Sequence, residues 1–386
     1  MTRTAPFESK VADEAIADLR TRLGATRWPD ELPGVGWDYG VPSRVLRDLC
    51  DAWAQHDIDA FVDRCNRWAQ VRGRYSVDNG PGVQIHAIHA RSPHPQARPL
   101  VLVHGWPGSV VEFFDVIEPL LNPPDPNDAF HVIVPSLPGY GLSGVTTRRG
   151  VDAATIATVV DALVADLGYE HYLVFGGDWG SVAGMALGAL FPQRVRALHL
   201  TMINVPAPPK DEREALLTDS DRQLRTQAQQ FGRTETGYQA IQSTRPQTLA
   251  YGLTDSPAGL AAWIAEKFHA WTDRRGALAD APFGAVPLER LLDNLSMYWF
   301  TGTINSSMRL YYEVLGGARL AQPLVATVPV GHTRYPAEIY TTPRGWAERA
   351  LHLEYWHEPE RGGHFPSLEV PDLFVHDLRN RYRAYR

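Results

Sequence analysis

The residues best placed to do chemistry lie in the segment 172–181, which reads Tyr-Leu-Val-Phe-Gly-Gly-Asp-Trp-Gly-Ser. An apolar run typical of a buried strand leads into a Gly-x-Asp-x-Gly turn, and we expect a helix after it. The tight turn requires small flanking residues, which Gly176 and Gly180 supply. A carboxylate at its centre attacks sp³ carbon and leaves an alkyl ester on the protein, so Asp178 indicates an epoxide or a carbon–halogen bond as substrate. The alternative is that Asp178 only caps the following helix.

A second turn, His104-Gly-Trp-Pro-Gly-Ser109, follows another apolar run. We predict that the backbone N–H groups of Trp106 and of Trp179, the residue after Asp178, form an oxyanion hole. One such donor stabilises a transition state by about 2.7–4 kcal/mol. We interpret His104 as structural, because a histidine beside a Gly-Pro turn more often bonds the backbone than does chemistry. The alternative for this segment is an ordinary turn from strand to helix.

The general base is predicted at His364, in Arg361-Gly-Gly-His-Phe365 near the end of the chain. The order nucleophile, acid, histidine is typical of enzymes with this kind of turn, and two glycines suit a loop that must approach it closely. Among the 14 histidines, His332 and His357 are the rivals. The alternative is that His364 lies on a surface loop.

These residues need a parallel sheet to bring them together. Apolar strands are predicted at 83–89, 99–104, 131–135, 172–175, 195–202, 328–330 and 351–355. Helices are predicted between them, with Asp152 capping one and Gly168 ending it. Strands that alternate with helices indicate a sheet with helices on both faces.

Two segments depart from this alternation. Residues 1–95 are interpreted as an N-terminal segment of helices, capped at Ser43 and Asp57, that wraps around the next domain. Residues 206–316 are almost entirely helical and rich in aromatic residues, which indicates a lid. The predicted core therefore comprises residues 96–205 and 317–386.

The composition excludes several classes of protein. A net charge of −7 without a basic stripe argues against a nucleic-acid partner. No stretch approaches the ~20 apolar residues that cross a membrane, and no signal peptide is evident, so we expect a cytoplasmic protein without membrane contact. Cys50 and Cys65 are expected to be buried thiols, with a disulfide as the alternative. Metal-ligand motifs are missing, and we expect no metal or organic cofactor.

Together these motifs resemble those of the microsomal-type epoxide hydrolases over most of the chain, from about Phe7 to Phe374. The two turns are specific in combination, and so is the lid segment 298–313. The resemblance implies an α/β-hydrolase fold with an N-terminal epoxide-hydrolase domain. Membrane-bound members carry an anchor helix that is missing here, so a soluble bacterial form is expected.

The resemblance also implies roles for residues that no other signal singles out. Tyr238 and Tyr311 fall where the family has its two epoxide-activating tyrosines, and Tyr312 is the alternative to Tyr311. The acid that orients His364 falls on Glu338. Glu358 and Glu360, which are nearer to His364 in sequence, are the alternatives.

The expected reaction is hydrolysis of a hydrophobic epoxide to a vicinal diol through an ester on Asp178, with water as the second substrate. A homodimer is expected, and a role in secondary metabolism or xenobiotic detoxification. One alternative is a haloalkane dehalogenase that holds halide with the indoles of Trp106 and Trp179. Another is a non-catalytic α/β-hydrolase that binds a ligand.

Overall fold

The centre of the molecule is one mixed sheet. The computed structural model describes residues 4–77, 80–316 and 323–386, and within them nine strands pair in the order β1-β2-β3-β5-β4-β6-β7-β8-β9. The strands are β1 (Thr4–Phe7), β2 (Gln70–Tyr75), β3 (Val83–Ala90), β4 (Arg98–Val103), β5 (Phe130–Ser136), β6 (Tyr172–Gly176), β7 (Val195–Leu200), β8 (Val330–Thr333) and β9 (Leu353–His357). The part from β5 to β9 is parallel, while β1, β2 and β3 extend it antiparallel.

Helices cover both faces of the sheet. In chain order they are α1 (Asp13–Gly24), α2 (Ser43–Ala54), α3 (Ile58–Asn66), α4 (Phe114–Leu121), α5 (Ala153–Asp166), α6 (Trp179–Leu190), α7 (Asp219–Thr234), α8 (Gly237–Thr244), α9 (Pro246–Asp255), α10 (Pro257–Trp271), α11 (Leu288–Thr301), α12 (Ile304–Leu315), α13 (Arg344–Ala350), α14 (Pro366–Glu369) and α15 (Pro371–Tyr382). The arrangement is the one that alternating strands and helices predict.

The apolar strands divide the core into two layers. Successive side chains of a strand point to opposite faces. In β4, Val101 and Val103 accordingly join the core that contains α5 and α6, whereas Leu100 and Leu102 join the core that contains α4 and α15. Strands buried on both faces explain why these segments are continuous apolar runs.

The N-terminal segment differs from the prediction in two respects. It is not purely helical, because β1 and β2 add two strands to the edge of the sheet beside β3. Ser43 is the first residue of α2 and not its N-cap. Its backbone N–H donates a hydrogen bond to the Glu31 carboxylate at 2.9 Å. The cap at Asp57 is confirmed, since its carboxylate accepts from the Ala60 N–H at 2.9 Å.

The helices α7 to α12 lie between β7 and β8 in the chain and supply the predicted lid residues. α1 and α2 of the N-terminal segment pack against α10. Residues 317–322, at the start of the predicted second part of the core, lie outside the described residues. No helix in the described ranges is long and apolar enough to cross a membrane.

The two cysteines are free thiols, as predicted, and both are buried. Cys50 packs in one of the two hydrophobic clusters and Cys65 in the other. Burial, reinforced by the charge of Asp51, raises the pKa of Cys50 to about 12, which makes it an inert buried group.

Candidate active site

Asp178 occupies the tight turn between β6 and α6. Its φ of 51° and ψ of −124° are unfavourable for a residue with a side chain, and no other non-glycine residue in the described ranges has a positive φ. Backbone strain of this kind persists mainly at functional sites. A side chain at position 176 would collide with the Gly180 carbonyl, and one at 180 with the Val103 carbonyl, which explains the two flanking glycines.

The turn after β4 closes over the Asp178 carboxylate. The Trp106 N–H donates a 2.9 Å hydrogen bond to Asp178 Oδ1. A side chain at Gly105 would overlap the Asp178 side chain, so glycine is needed for this approach. Trp179 is the first residue of α6, and its N–H therefore has no acceptor within that helix. The Trp106 N–H, one predicted oxyanion-hole donor, is thus already hydrogen-bonded to the Asp178 carboxylate. The Trp179 N–H, the other predicted donor, lies at the start of α6 beside it.

His364 and Glu338 lie on the other side of Asp178. His364 Nε2 is 3.4 Å from Asp178 Oδ2, and His364 Nδ1 is 2.7 Å from Glu338 Oε1. Glu338 Oε1 also accepts from the Ile339 N–H at 2.8 Å, which fixes the carboxylate. The three side chains come from loops after β6, β8 and β9, and such loops meet at one edge of a parallel sheet.

The charge of His364 is set by its two carboxylate neighbours. Burial disfavours the imidazolium, but the Glu338 charge and the hydrogen bond to Asp178 outweigh it and raise the pKa of His364 well above its usual range. The imidazolium is therefore the resting form of His364. Loss of either negative charge would lower this pKa again.

The rival histidines and acids are placed elsewhere. His332 Nδ1 bonds the Leu200 carbonyl at 2.8 Å, and His357 Nδ1 bonds Asp377 at 2.7 Å. Glu358 pairs with Arg334 at 2.7 Å, and Glu360 is exposed. Both ring nitrogens of His104 bond backbone groups, those of Gly105 and Leu137, which agrees with its structural interpretation.

The two lid tyrosines lie over the turn. Tyr238 on α8 stacks on the Trp106 ring at a centroid distance of 5.4 Å, and Tyr311 on α12 meets the Trp179 ring edge-on at 4.8 Å. Their own rings are 5.8 Å apart. Tyr311 is 2% exposed and Tyr312 is 42% exposed, so Tyr311 is the inward-facing member of that pair.

The tyrosine hydroxyls are poised as donors. Burial, the charge of Asp178 and the neighbouring hydroxyl raise the pKa of Tyr311 well above its usual range, and burial with Asp178 also raises the pKa of Tyr238. The Tyr311 hydroxyl is buried without a hydrogen bond of good geometry in the described part of the chain. A buried donor without a partner is costly, so a ligand oxygen at this position would be favoured.

Sequence reasoning missed one polar residue at this site. Glu112, in a short 3₁₀ turn over Val110–Phe113, borders a small cavity together with Asp178 and His364. Its only sequence signal is a carboxyl group within the apolar run Val-Val-Glu-Phe-Phe.

No three His, Cys, Asp or Glu residues in the described ranges are grouped so that they could hold a metal ion.

Comparison with known proteins gives consistent matches over the whole chain. The family described as epoxide hydrolase N terminus matches residues 4–113, and the alpha/beta hydrolase fold family matches residues 98–245. A "Putative epoxide hydrolase" of Stigmatella aurantiaca is 42% identical, over 99% of this chain and 85% of its own length. Epoxide hydrolase 1 of Sus scrofa is 33% identical, over 97% of this chain and 87% of its own.

Solved structures agree with these matches. The crystal structure of juvenile hormone epoxide hydrolase from the silkworm Bombyx mori superposes with a TM-score of 0.88. It is 30% identical, over 100% of this chain and 96% of that chain. The predicted α/β-hydrolase fold is thereby confirmed.

Proposed function

Because the chain belongs to the epoxide hydrolase family, we propose that it opens a hydrophobic epoxide to a vicinal diol through a covalent ester on Asp178. The observation that carries this proposal is the placement of the Asp178 carboxylate. Oδ1 is held by the Trp106 N–H, while Oδ2 faces the imidazole of His364, itself bonded to Glu338. Tyr238 and Tyr311 lie over the turn that carries it.

The first step forms the ester. Asp178 Oδ2 attacks a ring carbon of the epoxide, and the bond between that carbon and the ring oxygen breaks as the new C–O bond forms. Tyr238 and Tyr311 bond the ring oxygen, and one of them gives it a proton, which leaves a hydroxyl group on the alkyl chain and a tyrosinate in the lid. Raised tyrosine pKa values mean that both hydroxyls are protonated at neutral pH before substrate binds.

The second step hydrolyses the ester. Ester formation removes the charge of Asp178, which lowers the pKa of His364. The imidazolium then gives its proton, through solvent, to the tyrosinate left by the first step, so that His364 is neutral and can act as a base. His364 takes a proton from water, and the resulting hydroxide adds to Asp178 Cγ, with the oxyanion bonded by the N–H groups of Trp106 and Trp179. The diol leaves with the proton that His364 took from water, and the proton of the regenerated Asp178 carboxyl passes to His364, which restores the imidazolium.

The surroundings support a hydrophobic substrate. Trp106, Trp271 and Tyr238 form one aromatic cluster, with Trp106 and Trp271 at 6.4 Å and Tyr238 and Trp271 at 5.2 Å. Trp271 also meets the His364 ring at 5.0 Å. An apolar lining around a few polar groups is typical of sites for small apolar ligands.

The test is a single turnover in heavy-oxygen water, with enzyme in excess over racemic styrene oxide. We expect the first diol to carry light oxygen, because the oxygen it gains comes from the Asp178 carboxylate. Diol labelled from solvent in that first turnover would mean direct attack of water and would refute the ester. Halide release from a bromoalkane, with no diol from any epoxide, would instead favour the dehalogenase.

The ester can also be captured directly. His364→Gln removes the base of the second step while leaving the nucleophile in place. We expect intact-mass spectrometry to show this variant heavier by the mass of one epoxide, and the adduct to be lost in Asp178→Asn. An adduct that persists in Asp178→Asn would place the ester on another residue.

A further inference from the structure

Lys267 is a buried cation that the proposed steps leave without a task. It lies on the lid helix α10 and is 2% exposed. It is one of three lysines in a chain whose Lys and Arg residues together number 37, so lysine is not the usual cation of this protein. Burial of an ammonium group is costly unless nearby groups replace the water that it loses. The groups around Lys267 therefore indicate what it does.

The ammonium of Lys267 lies over the ring of Tyr238. Lys267 Nζ is 4.6 Å from the centroid of that ring and 5.7 Å from the centroid of the Trp263 ring. A cation within about 6 Å of an aromatic centroid is attracted by the negative face of the ring, most strongly where water is excluded. The other lid tyrosine, Tyr311, has no Arg or Lys over its ring in the described ranges. The two tyrosines therefore differ in their electrostatic surroundings.

Two contacts hold the ammonium in place. Glu266 Oε1 is 2.6 Å from Lys267 Nζ, and no second carboxylate in the described part of the chain pairs with this ammonium. The Glu266 side chain is 31% exposed, so water shares its charge. Trp263 Nε1 donates to Gln242 Oε1 at 3.0 Å, and Gln242 lies one turn beyond Tyr238 on α8. The helix that carries the cation is thus hydrogen-bonded to the helix that carries the tyrosine.

Ring opening changes the charge of the ring that faces this cation. A neutral phenol attracts a cation only through the quadrupole of its π-system. A tyrosinate carries a full negative charge that is partly delocalised into the ring, so its attraction for the ammonium is much stronger. An interaction that strengthens on the way to the transition state raises the rate of that step and not the affinity for substrate.

We propose that Lys267 is a positioning residue that acts through Tyr238, stabilising the tyrosinate that forms when Tyr238 gives its proton to the epoxide oxygen. The inference rests on the proposed function and names Tyr238 as the proton donor. Asp178 Oδ2 bonds a ring carbon, the bond from that carbon to the ring oxygen breaks, and this oxygen takes the Tyr238 proton. One negative charge thus passes from Asp178 to Tyr238, and the later proton from His364 neutralises it.

The loss of the Asp178 charge favours the same outcome. Burial and the charge of Asp178 raise the pKa of Tyr238 above its usual range, so the tyrosinate is disfavoured before the attack. Ester formation removes the Asp178 charge and leaves the Lys267 ammonium in place. The tyrosinate therefore becomes more favourable at the moment when the epoxide oxygen needs a proton.

The experiment measures ester formation in the full-length enzyme. Stopped-flow tryptophan fluorescence, reported by Trp106 and Trp179 beside the nucleophile, follows the first turnover at a series of styrene oxide concentrations. Lys267→Met removes the charge, and Lys267→Gln, which can still donate to Glu266, takes its place if that variant does not fold. Glu266→Gln breaks the same ion pair but keeps the ammonium, and Lys10→Met on an exposed lysine is the matched control.

We expect ester formation at saturating epoxide to be slower by about 30-fold in Lys267→Met, the size of effect that a desolvated cation–π attraction gives. The epoxide concentration at half-maximal rate should change by less than about threefold, because the attraction grows only after substrate has bound. Glu266→Gln and Lys10→Met should both remain within about threefold of the wild-type rate, since neither removes the cation over the ring.

Combined variants test whether Lys267 acts through Tyr238. Tyr238→Phe removes the phenol, so adding Lys267→Met to it should slow ester formation by less than about threefold more. Added to Tyr311→Phe, the same change should keep its full effect of about 30-fold. A residue that only supports the lid would lower the rate equally in both backgrounds.

Three results overturn the inference while the proposed function stands. They are an unchanged rate of ester formation in Lys267→Met, an equal loss in the Tyr238→Phe and Tyr311→Phe backgrounds, and a loss in Glu266→Gln as large as in Lys267→Met. If instead the wild type forms no ester and its first diol carries solvent oxygen, the proposed function fails and this inference fails with it.

Discussion

The site has two halves that are held in different ways. The half from the core, Asp178, His364 and Glu338, is fixed by a chain of polar contacts of 2.7 to 3.4 Å that ends in backbone N–H groups. The half from the lid, Tyr238 and Tyr311, is held by ring contacts with centroids 4.8 to 5.8 Å apart. The core half has its polar partners in place without substrate, whereas in the lid half the buried Tyr311 hydroxyl has no hydrogen-bond partner in the described ranges.

This difference matches the two tasks of the site. A nucleophile and base must be aligned before the substrate arrives, because a misplacement of about 1 Å can cost 10²-fold in rate. Donors for an epoxide oxygen gain by remaining unpaired until that oxygen binds, since a bond made only in the reacting complex lowers the barrier. Changes in the core half should therefore abolish or arrest a step, and changes in the lid half should slow ester formation.

The largest effect is expected for Asp178→Asn, which replaces the proposed nucleophile with an amide of the same shape. Asparagine tolerates a positive φ better than most residues, so the turn should survive. We expect turnover to fall by about 10⁴-fold or more, as for other catalytic nucleophiles. The measurement is the initial rate of freshly purified protein, since deamidation would restore aspartate slowly. Near-normal initial activity with an unchanged circular dichroism spectrum would remove Asp178 from the mechanism.

The second-largest effect is expected for Glu338→Gln, which weakens the hydrogen bond between His364 and residue 338. Ester hydrolysis should fall by about 10³-fold, somewhat less than the roughly 10⁴-fold loss seen when the carboxylate of a Ser-His-Asp triad becomes an amide, while ester formation changes little. Glu338 raises the pKa of His364, so its replacement lowers that pKa. Because a histidine acts as a base only when neutral, the acid limb of the hydrolysis profile should move to lower pH if His364 is the base. If the acid limb stays at the same pH, a group other than His364 is responsible for it.

The core half was largely predictable from local sequence. Asp178 stands in a Gly-x-Asp-x-Gly turn after a strand, His364 follows two glycines, and the predicted cap at Asp152 is present. Each of these signals depends on a few neighbouring residues, because tight turns and helix starts are decided locally. The strands of the parallel part were predictable for the same reason, as continuous apolar runs.

The rest depends on contacts between distant parts of the chain. Strand β2 reads Gln-Val-Arg-Gly-Arg-Tyr and becomes a strand through its pairing with β3, and β1 depends in turn on β2. Tyr238, Tyr311 and Glu338 carried no local signal and came only from the family resemblance. Glu112 was missed because nothing in an isolated carboxyl shows that Gly108 leaves space for it beside Asp178.

A smaller effect is expected in the lid half. Tyr238→Phe and Tyr311→Phe should each slow ester formation by about 10²-fold and leave hydrolysis of a formed ester almost unchanged. Stopped-flow fluorescence measures the first rate, and decay of the trapped ester measures the second. Tyr312→Phe is the matched control, because that side chain is 42% exposed. A larger loss in Tyr312→Phe than in Tyr311→Phe would reverse the assignment of the lid tyrosine.

The lid helix α11 differs from the lid tyrosines, because polar contacts and not ring contacts tie it to the rest of the protein. Asn294 Nδ2 donates to the Pro107 carbonyl at 2.8 Å, in the loop that carries the Trp106 N–H. On the N-terminal side, Asp293 is fully buried and accepts from His56, Arg64 and Arg290 at 2.6 to 3.1 Å. This helix therefore links the N-terminal segment to the loop that carries the Trp106 N–H.

The smallest effect on rate, with a clear effect on stability, is expected for Asp293→Asn. Removing the charge leaves two arginines without their buried partner, and the free energy of unfolding should fall by about 3 kcal/mol. Turnover at low temperature should change only a few-fold, since Asp293 touches no reacting atom. Asp115→Asn is the matched control, because Asp115 pairs with the same Arg290 from the surface and should contribute about 0–1 kcal/mol. Equal denaturation midpoints for the two variants would show that the N-terminal segment does not depend on Asp293 to hold the lid.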